Sequence, residues 1–213
     1  MIKTLKTYYT IIGFLFLILC VGNCAYCSEL YEVKWVNDGD TIVLKDGRKI
    51  RYIGINAPEI EHQDNKAEPY AYKAKQFNKN LVYLNKVRLE FDDEKYDKYG
   101  RVLAYVYLSD GTFVNNEMID KGFAFCLPIA PNLKFEKLFL KSQQNAMSLK
   151  TGIWQNWEDS NSEYVANIKS KRFHKKKCRF AGKISKRNIK YFNTKWDAFW
   201  EGFAPCKKCF MDR

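Results

Sequence analysis

Between residues 31 and 59 apolar and polar positions alternate: Val33 and Trp35, then Ile42 and Leu44, then Ile50 and Tyr52, followed by Ile53 and Ile55. A period of two marks strands with one face buried. Asp46-Gly47, between the second and third runs, is a two-residue hairpin signal, and Gly39 supplies a turn between the first and second. The period then lengthens. Ala71, Ala74, Phe77, Leu81 and Leu84 share one face of a helix expected over 70–84. Pro69 opens it, where a missing amide hydrogen costs nothing. Strands are predicted at 87–91 and 101–108, the latter closed by Ser109-Asp110-Gly111. A short helix over 114–121 ends at Gly122, and a longer one over 133–150 stops at Gly152. Five strands with about three helices gathered at one end predict an α+β fold, a five-stranded OB-like Greek-key β-barrel.

The N-terminus breaks this pattern. Lys3 and Lys6 precede an apolar run from Ile11 to Val21, followed by Gly22, Ala25 and Ser28. Spanning a bilayer takes about 20 apolar residues, so the shorter run reads as the core of a signal peptide. Residues 1–27 are expected to be the signal peptide, with cleavage after Ala25 or Cys27. That predicts a secreted or cell-envelope protein, periplasmic or extracellular, with no stable membrane span after cleavage. An uncleaved anchor is the alternative. The run around Trp157-Glu158-Asp159-Ser160-Asn161-Ser162 is polar and aperiodic. It divides a domain at 28–157 from a second at 166–213, with 158–165 as linker.

Charge is placed unevenly. The 213 residues carry 36 Lys and Arg against 24 Asp and Glu, a net charge of +12. Between Tyr164 and Lys195 there are 12 basic residues and no acidic ones, so the rest of the chain balances at 24 against 24. A patch of that kind attracts polyanions, nucleic acid or an anionic membrane surface.

Of the seven cysteines, Cys20, Cys24 and Cys27 lie in the leader, leaving Cys126, Cys178, Cys206 and Cys209. Cys126 follows Phe125 in an apolar stretch and reads as packing. His174 and Cys178 are separated by three residues, Cys206 and Cys209 by two. That is tetrahedral zinc spacing, and Pro205 shapes the turn that lets two thiolates converge. A disulfide with one thiol left over is the alternative for an exported chain. The rings of Phe180, Tyr191, Phe192, Trp196, Phe199, Trp200 and Phe203 lie among the basic residues. They are expected mainly as the core of a small metal module, with stacking on unpaired bases as the other use.

Asp38-Gly39-Asp40-Thr41, Arg51 with Pro58-Glu59, and Asp97-Lys98-Tyr99-Gly100-Arg101 together offer hard oxygen ligands, a carboxylate to activate water and two arginines for a phosphate. Phosphodiester hydrolysis uses that set. With Leu103-Ala104-Tyr105 and the closing Gly152-Ile153-Trp154, their order and spacing over about 31–157 resemble the staphylococcal nuclease (thermonuclease) family. The resemblance implies a calcium-dependent hydrolase of DNA or RNA with little base specificity, leaving 3′-phosphorylated products. It implies Asp40 as a calcium ligand, with Asn56 and the Ala57 carbonyl beside it. It implies Glu59 as the base toward water, Arg51 and Arg101 on the phosphate, Asp38 behind the metal ligands, and Lys98 and Tyr99 on the nucleotide. Asn56 stands where the family generally has a second aspartate, removing one negative charge from the calcium site. Leu127-Pro128-Ile129-Ala130 has no ring where the family's stacking tyrosines fall.

The C-terminal segment, about 164–210, resembles the zinc-binding domain of Ada-type DNA-repair proteins, on Phe173-His174, Cys178, Ala181, Ile184-Ser185, Asn188, Phe192, Gly202, Pro205-Cys206 and Cys209. It implies a small C-terminal zinc-binding α/β module. His174 stands where that family has its methyl-accepting cysteine, so the expected role is structural zinc and a basic face toward nucleic acid. Two other readings of the whole chain are a nuclease-fold protein that binds without cutting, and a basic envelope protein that binds anionic lipid.

Overall fold

The computed structural model describes residues 29–61, 66–159 and 162–211; the signal peptide expected over 1–27 lies outside them. Strands β1 (Leu30–Val36), β2 (Thr41–Leu44), β3 (Lys49–Tyr52), β5 (Lys86–Glu90) and β6 (Val102–Leu108) close a barrel in the order β1-β2-β3-β6-β5. This is the five-stranded OB-like architecture expected. Strand β3 runs parallel to β6, with Arg51 opposite Leu103; the other neighbours are antiparallel. A two-stranded ribbon of β4 (Ile55–Asn56) and β7 (Phe125–Cys126) lies beside the barrel. Helices α1 (Ala71–Val82), α2 (Val114–Asp120) and α3 (Glu136–Ser148) pack against it, so the three expected helices are present. The barrel interior is Ile42, Leu44, Ile50, Tyr52, Val87, Ala104 and Val106, and α1 and α2 close it with Ala74, Val82, Met118 and Ile119.

Some boundaries differ, for local reasons. The Asp46-Gly47 turn is wider than a two-residue hairpin: the Leu44 amide donates to the Arg48 carbonyl and the Gly47 amide to the Leu44 carbonyl. Pro69 does not sit in the first turn of α1, because Tyr70 intervenes in the left-handed conformation at φ 67°. Leu84 lies past the end of α1 and is exposed; Asn78 and Val82 fill the inner face instead. Helix α2 ends as expected, with Gly122 at φ 71°, its amide on the Ile119 carbonyl and the Phe123 amide on that of Met118, a Schellman cap. Helix α3 uses the same cap, but Lys150, not Gly152, takes the left-handed position at φ 51°. Gly152 has a different task. Its Cα packs on the α2 terminus, where an added Cβ would stand 2.0 Å from the Gly122 carbonyl oxygen.

The second sheet has the order β10-β8-β9-β11, from β8 (Tyr164–Asn167), β9 (Arg172–Lys175), β10 (Ile189–Phe192) and β11 (Ala204–Pro205). Helices α4 (Lys195–Trp200) and α5 (Lys207–Met211) complete it. Strand β8 starts at Tyr164, so the last two residues of the expected linker, Tyr164 and Val165, already belong to this sheet. Its core joins Tyr164, Phe173, Phe192, Phe199 and Phe203 to Ala146, Met147 and Trp154 of the barrel side. Trp154, Trp157, Trp196 and Phe199 meet edge-on or tilted, with ring centroids 5.2–5.9 Å apart. The side-chain amide of Gln143 on α3 donates to the Phe199 carbonyl and its oxygen accepts from the Cys126 amide. The two parts therefore share packing and buried hydrogen bonds across their junction. No helix among the described residues is long and apolar enough to cross a membrane.

Candidate active site

The turn between β1 and β2 holds the first acidic pair. Asp38 Oδ1 accepts the Asp40 amide at 3.0 Å, a local Asx-type bond that shapes the turn. Asn78 on α1 donates to the Asp38 carbonyl at 3.0 Å and accepts from the Tyr52 hydroxyl at 2.9 Å, tying helix, turn and β3 together. Gly39 is needed for close approach, since a Cβ there would stand 2.4 Å from that of Ala57 and 3.0 Å from that of Ala74. With the turn pressed against Ala57, Asp40 Oδ2 accepts the Ala57 amide at 2.8 Å.

Arg51, pointing from β3, fills the space between these groups. Its Nη2 lies 3.0 Å from Asp40 Oδ2 and 3.1 Å from Asn56 Oδ1, and its Nη1 donates to the Tyr52 carbonyl at 2.9 Å. Asn56 Nδ2 donates to the Ala57 carbonyl at 3.0 Å. Asp40, Arg51 and Asn56 are all buried. Burial pushes the Asp40 carboxyl up to about 7, against the pull of Arg51 and the Ala57 amide, with Asp38 and Glu59 pushing the same way as burial. A cation would favour the ionised form there. The oxygens of Asp40, Asn56 and Ala57 form a hard donor set on one turn and one strand end, which suits calcium chemistry. Among the described residues, Asp38, Asp40 and Glu59 do not converge as a three-carboxylate cluster.

Glu59 follows on the same segment. Its amide donates to Glu68 Oε2 at 2.9 Å and its carbonyl accepts the Glu68 amide at 2.9 Å, which pins both ends of the loop. Its own carboxylate accepts from Lys207 Nζ at 3.0 Å, a contact from the C-terminal part. Arg101 is held by Asp97, with Nε on Oδ2 at 2.7 Å and its amide on Oδ1 at 3.0 Å. Arg101 immediately precedes β6, in which Leu103 pairs with Arg51. No hydrogen bond or ion pair joins Arg101 to Asp40, Arg51 or Glu59 among the described residues. Tyr99 is exposed on that loop, with the Lys98 ammonium 5.0 Å and the Arg101 guanidinium 5.7 Å from its ring. The structure thus joins Asp40, Arg51, Asn56 and Ala57 directly, and leaves Arg101, Lys98 and Tyr99 on a separate loop.

The staphylococcal nuclease homologue family model matches residues 49–156, just over half of the 213-residue chain. The chain belongs to the staphylococcal nuclease family. The thermonuclease of Staphylococcus hyicus is 38% identical over 132 residues, covering 61% of this chain and 78% of that protein. The thermonuclease of Staphylococcus intermedius is 40% identical over 131 residues, covering 60% and 77%. Endonuclease YncB of Bacillus subtilis is 40% identical over 135 residues, 61% of each chain. The family match takes in Arg51, Asn56, Ala57, Glu59, Lys98, Tyr99 and Arg101, begins after Asp40 and stops short of the second sheet.

Outside that match, His174, Cys178, Cys206 and Cys209 come together, their ligand atoms all within 4.8 Å of one another. No disulfide joins Cys126, Cys178, Cys206 or Cys209 among the described residues. His174 is buried with Nδ1 3.5 Å from Cys178 Sγ, and burial, then Arg172, holds its pKa below the usual histidine value. A neutral imidazole with three sulfurs is the donor chemistry of a closed zinc site. Burial pushes the Cys209 thiol up to about 12. At Cys178 burial also acts upward but is outweighed by the Phe180 and Ala181 amides and the neighbouring thiols, which lower it. Cys126 is buried and its thiol is pushed up by that burial, as suits packing.

Sequence reasoning missed Lys207, Arg172 and Glu68. Arg172 on β9 is half-buried and donates to the Pro205 carbonyl at 3.4 Å. Burial lowers its pKa, Cys206 opposes that, and the Arg51 charge adds to the lowering.

Proposed function

We propose that the chain is a calcium-dependent nuclease that hydrolyses phosphodiester bonds of DNA, RNA or both with low sequence specificity. The observation that carries this reading is the buried Asp40–Arg51–Asn56 cluster, with Glu59 three residues beyond Asn56 and Arg101 just before the strand that pairs with β3. Asp40, Asn56 and the Ala57 carbonyl would hold calcium, which supplies charge for the phosphoryl oxygens. Arg51 is held by Asp40, Asn56 and the Tyr52 carbonyl; calcium would take the first two, and the planar fork released from them would turn to a phosphate. Arg101, anchored by Asp97, offers a second guanidinium from the neighbouring strand end. Glu59, half-exposed beside them, is the group that would take the proton of the attacking water. Lys98 and Tyr99 flank the nucleotide.

In the same reading residues 1–27 are a signal peptide, the protein acts outside the cytoplasm, and 28–157 and 166–213 are its functional units. The His174, Cys178, Cys206 and Cys209 cluster holds structural zinc in an Ada-like module whose basic face grips phosphates. Tethering such a face to a nuclease raises the local substrate concentration. The test is hydrolysis of plasmid, single-stranded DNA and RNA by purified protein across calcium concentrations. Cleavage that requires calcium supports the proposal, and intact substrates at every pH and salt overturn it. A second reading, binding without cutting, is favoured by the Asn56 amide, which adds no charge and whose oxygen already accepts from Arg51.

A further inference from the structure

Lys207 opens helix α5, between Cys206 and Cys209, and its ammonium lies on the carboxylate of Glu59, 148 residues earlier in the chain. The contact is half-exposed on both sides, 54% for Lys207 and 41% for Glu59. An ion pair this wet contributes little to holding two parts of a protein together, and the junction already has Gln143 and the tryptophan cluster for that purpose. The pair is also cheap to open. What it does achieve is to place a half-exposed cation at the carboxylate proposed to act on water. It does not stand alone in its own part: Arg172 on β9 holds the Pro205 carbonyl, two residues before Lys207. A strand that brings a phosphate to Arg51 therefore enters a field set by cations of both parts.

We propose that Lys207 is a substrate-contacting residue of the nuclease site, leaving Glu59 when nucleic acid binds and taking a phosphate oxygen beside the scissile linkage. This rests on the nuclease reading for the identity of the linkage, but not for the contact itself. A free ammonium exchanges a lone carboxylate for a phosphodiester oxygen at little cost, since both pairs are charge-assisted. The exchange uncovers Glu59 as substrate arrives. Lys207 sits between two candidate metal ligands, so the cluster of His174, Cys178, Cys206 and Cys209 fixes where its backbone stands.

The experiment uses the full chain with Lys207→Gln and Lys207→Arg. Binding of a fluorescein-labelled single-stranded DNA decamer is measured in calcium-free buffer over a range of salt, and cleavage is measured with calcium. Lys207→Gln is expected to weaken binding and raise KM by about tenfold, the effect of losing one charge-assisted hydrogen bond. The slope of log affinity against log salt should fall by about 0.7, one phosphate contact on a single strand. Lys207→Arg should stay near the wild type. Unchanged affinity and slope in Lys207→Gln overturns the proposal and leaves a surface ion pair. A higher kcat at unchanged KM also overturns it, because the lysine then acts as a lock on Glu59. Wild-type protein that binds but never cuts defeats the nuclease reading, while the binding series still decides the role of Lys207.

Discussion

A single nitrogen of Arg51 serves two acceptors: its Nη2 lies 3.1 Å from Asn56 Oδ1 and 3.0 Å from Asp40 Oδ2. In the proposed site, the two side chains that would hold calcium are thus bridged by the residue that would hold the phosphate. With one carboxylate and one amide there, these two side chains offer at most one negative charge against one guanidinium.

Asn56→Asp adds the missing charge. Calcium affinity follows ligand charge count, so we expect it to rise by about an order of magnitude, with cleavage persisting at lower calcium. Calorimetric titration of both proteins checks this. Equal affinities would show that position 56 is not a ligand.

Glu59→Ala and Arg101→Ala should lower kcat by roughly 100- to 1000-fold, the usual effect of removing one group that acts on the transition state. Both side chains are partly exposed, so thermal midpoints should hardly move. Arg51→Ala differs. It leaves Asp40 buried without its partner, which typically costs about 3–5 kcal/mol, so lost activity should come with a lower midpoint. Calorimetry beside kinetics separates the two behaviours.

Gly152→Ala tests the junction between α2 and α3. The position has φ 57°, and a methyl group would meet the Gly122 carbonyl oxygen at 2.0 Å. Left-handed strain and overpacking together predict a loss of roughly 2–5 kcal/mol. Denaturant unfolding checks it, with Gly111→Ala as a comparison that has a positive φ but open space.

Zinc analysis of protein purified without added metal should give one ion per chain. Cys206→Ser should lose it and lower the thermal midpoint, because a structural site contributes its binding energy to folding. The Phe173 and Phe210 rings, 5.2 Å apart beside the cluster, should report the change in near-ultraviolet dichroism. A metal-free protein of unchanged stability would return these cysteines to ordinary packing.

The barrel was largely legible in the chain. Alternation at Val33, Ile42, Ile50 and Tyr52 specifies strands because one face of each must leave water. The Gly122 stop is legible because a left-handed cap penalises a Cβ, and the same rule misled at Gly152, since Lys150 took the cap and the glycine served close packing. The family resemblance named both Asp40 and Arg51, which the structure joins, and the His174, Cys178, Cys206 and Cys209 spacing predicted the cluster that forms.

Local sequence determined the strands, caps and candidate ligands, since these depend on neighbours within a few positions. Only the tertiary structure decided that Arg51 joins Asp40 to Asn56, that Trp154 and Phe199 fuse two cores, and that Lys207 reaches Glu59. Those contacts arise when distant surfaces are brought together, and residues 148 positions apart carry no mutual signal along the chain.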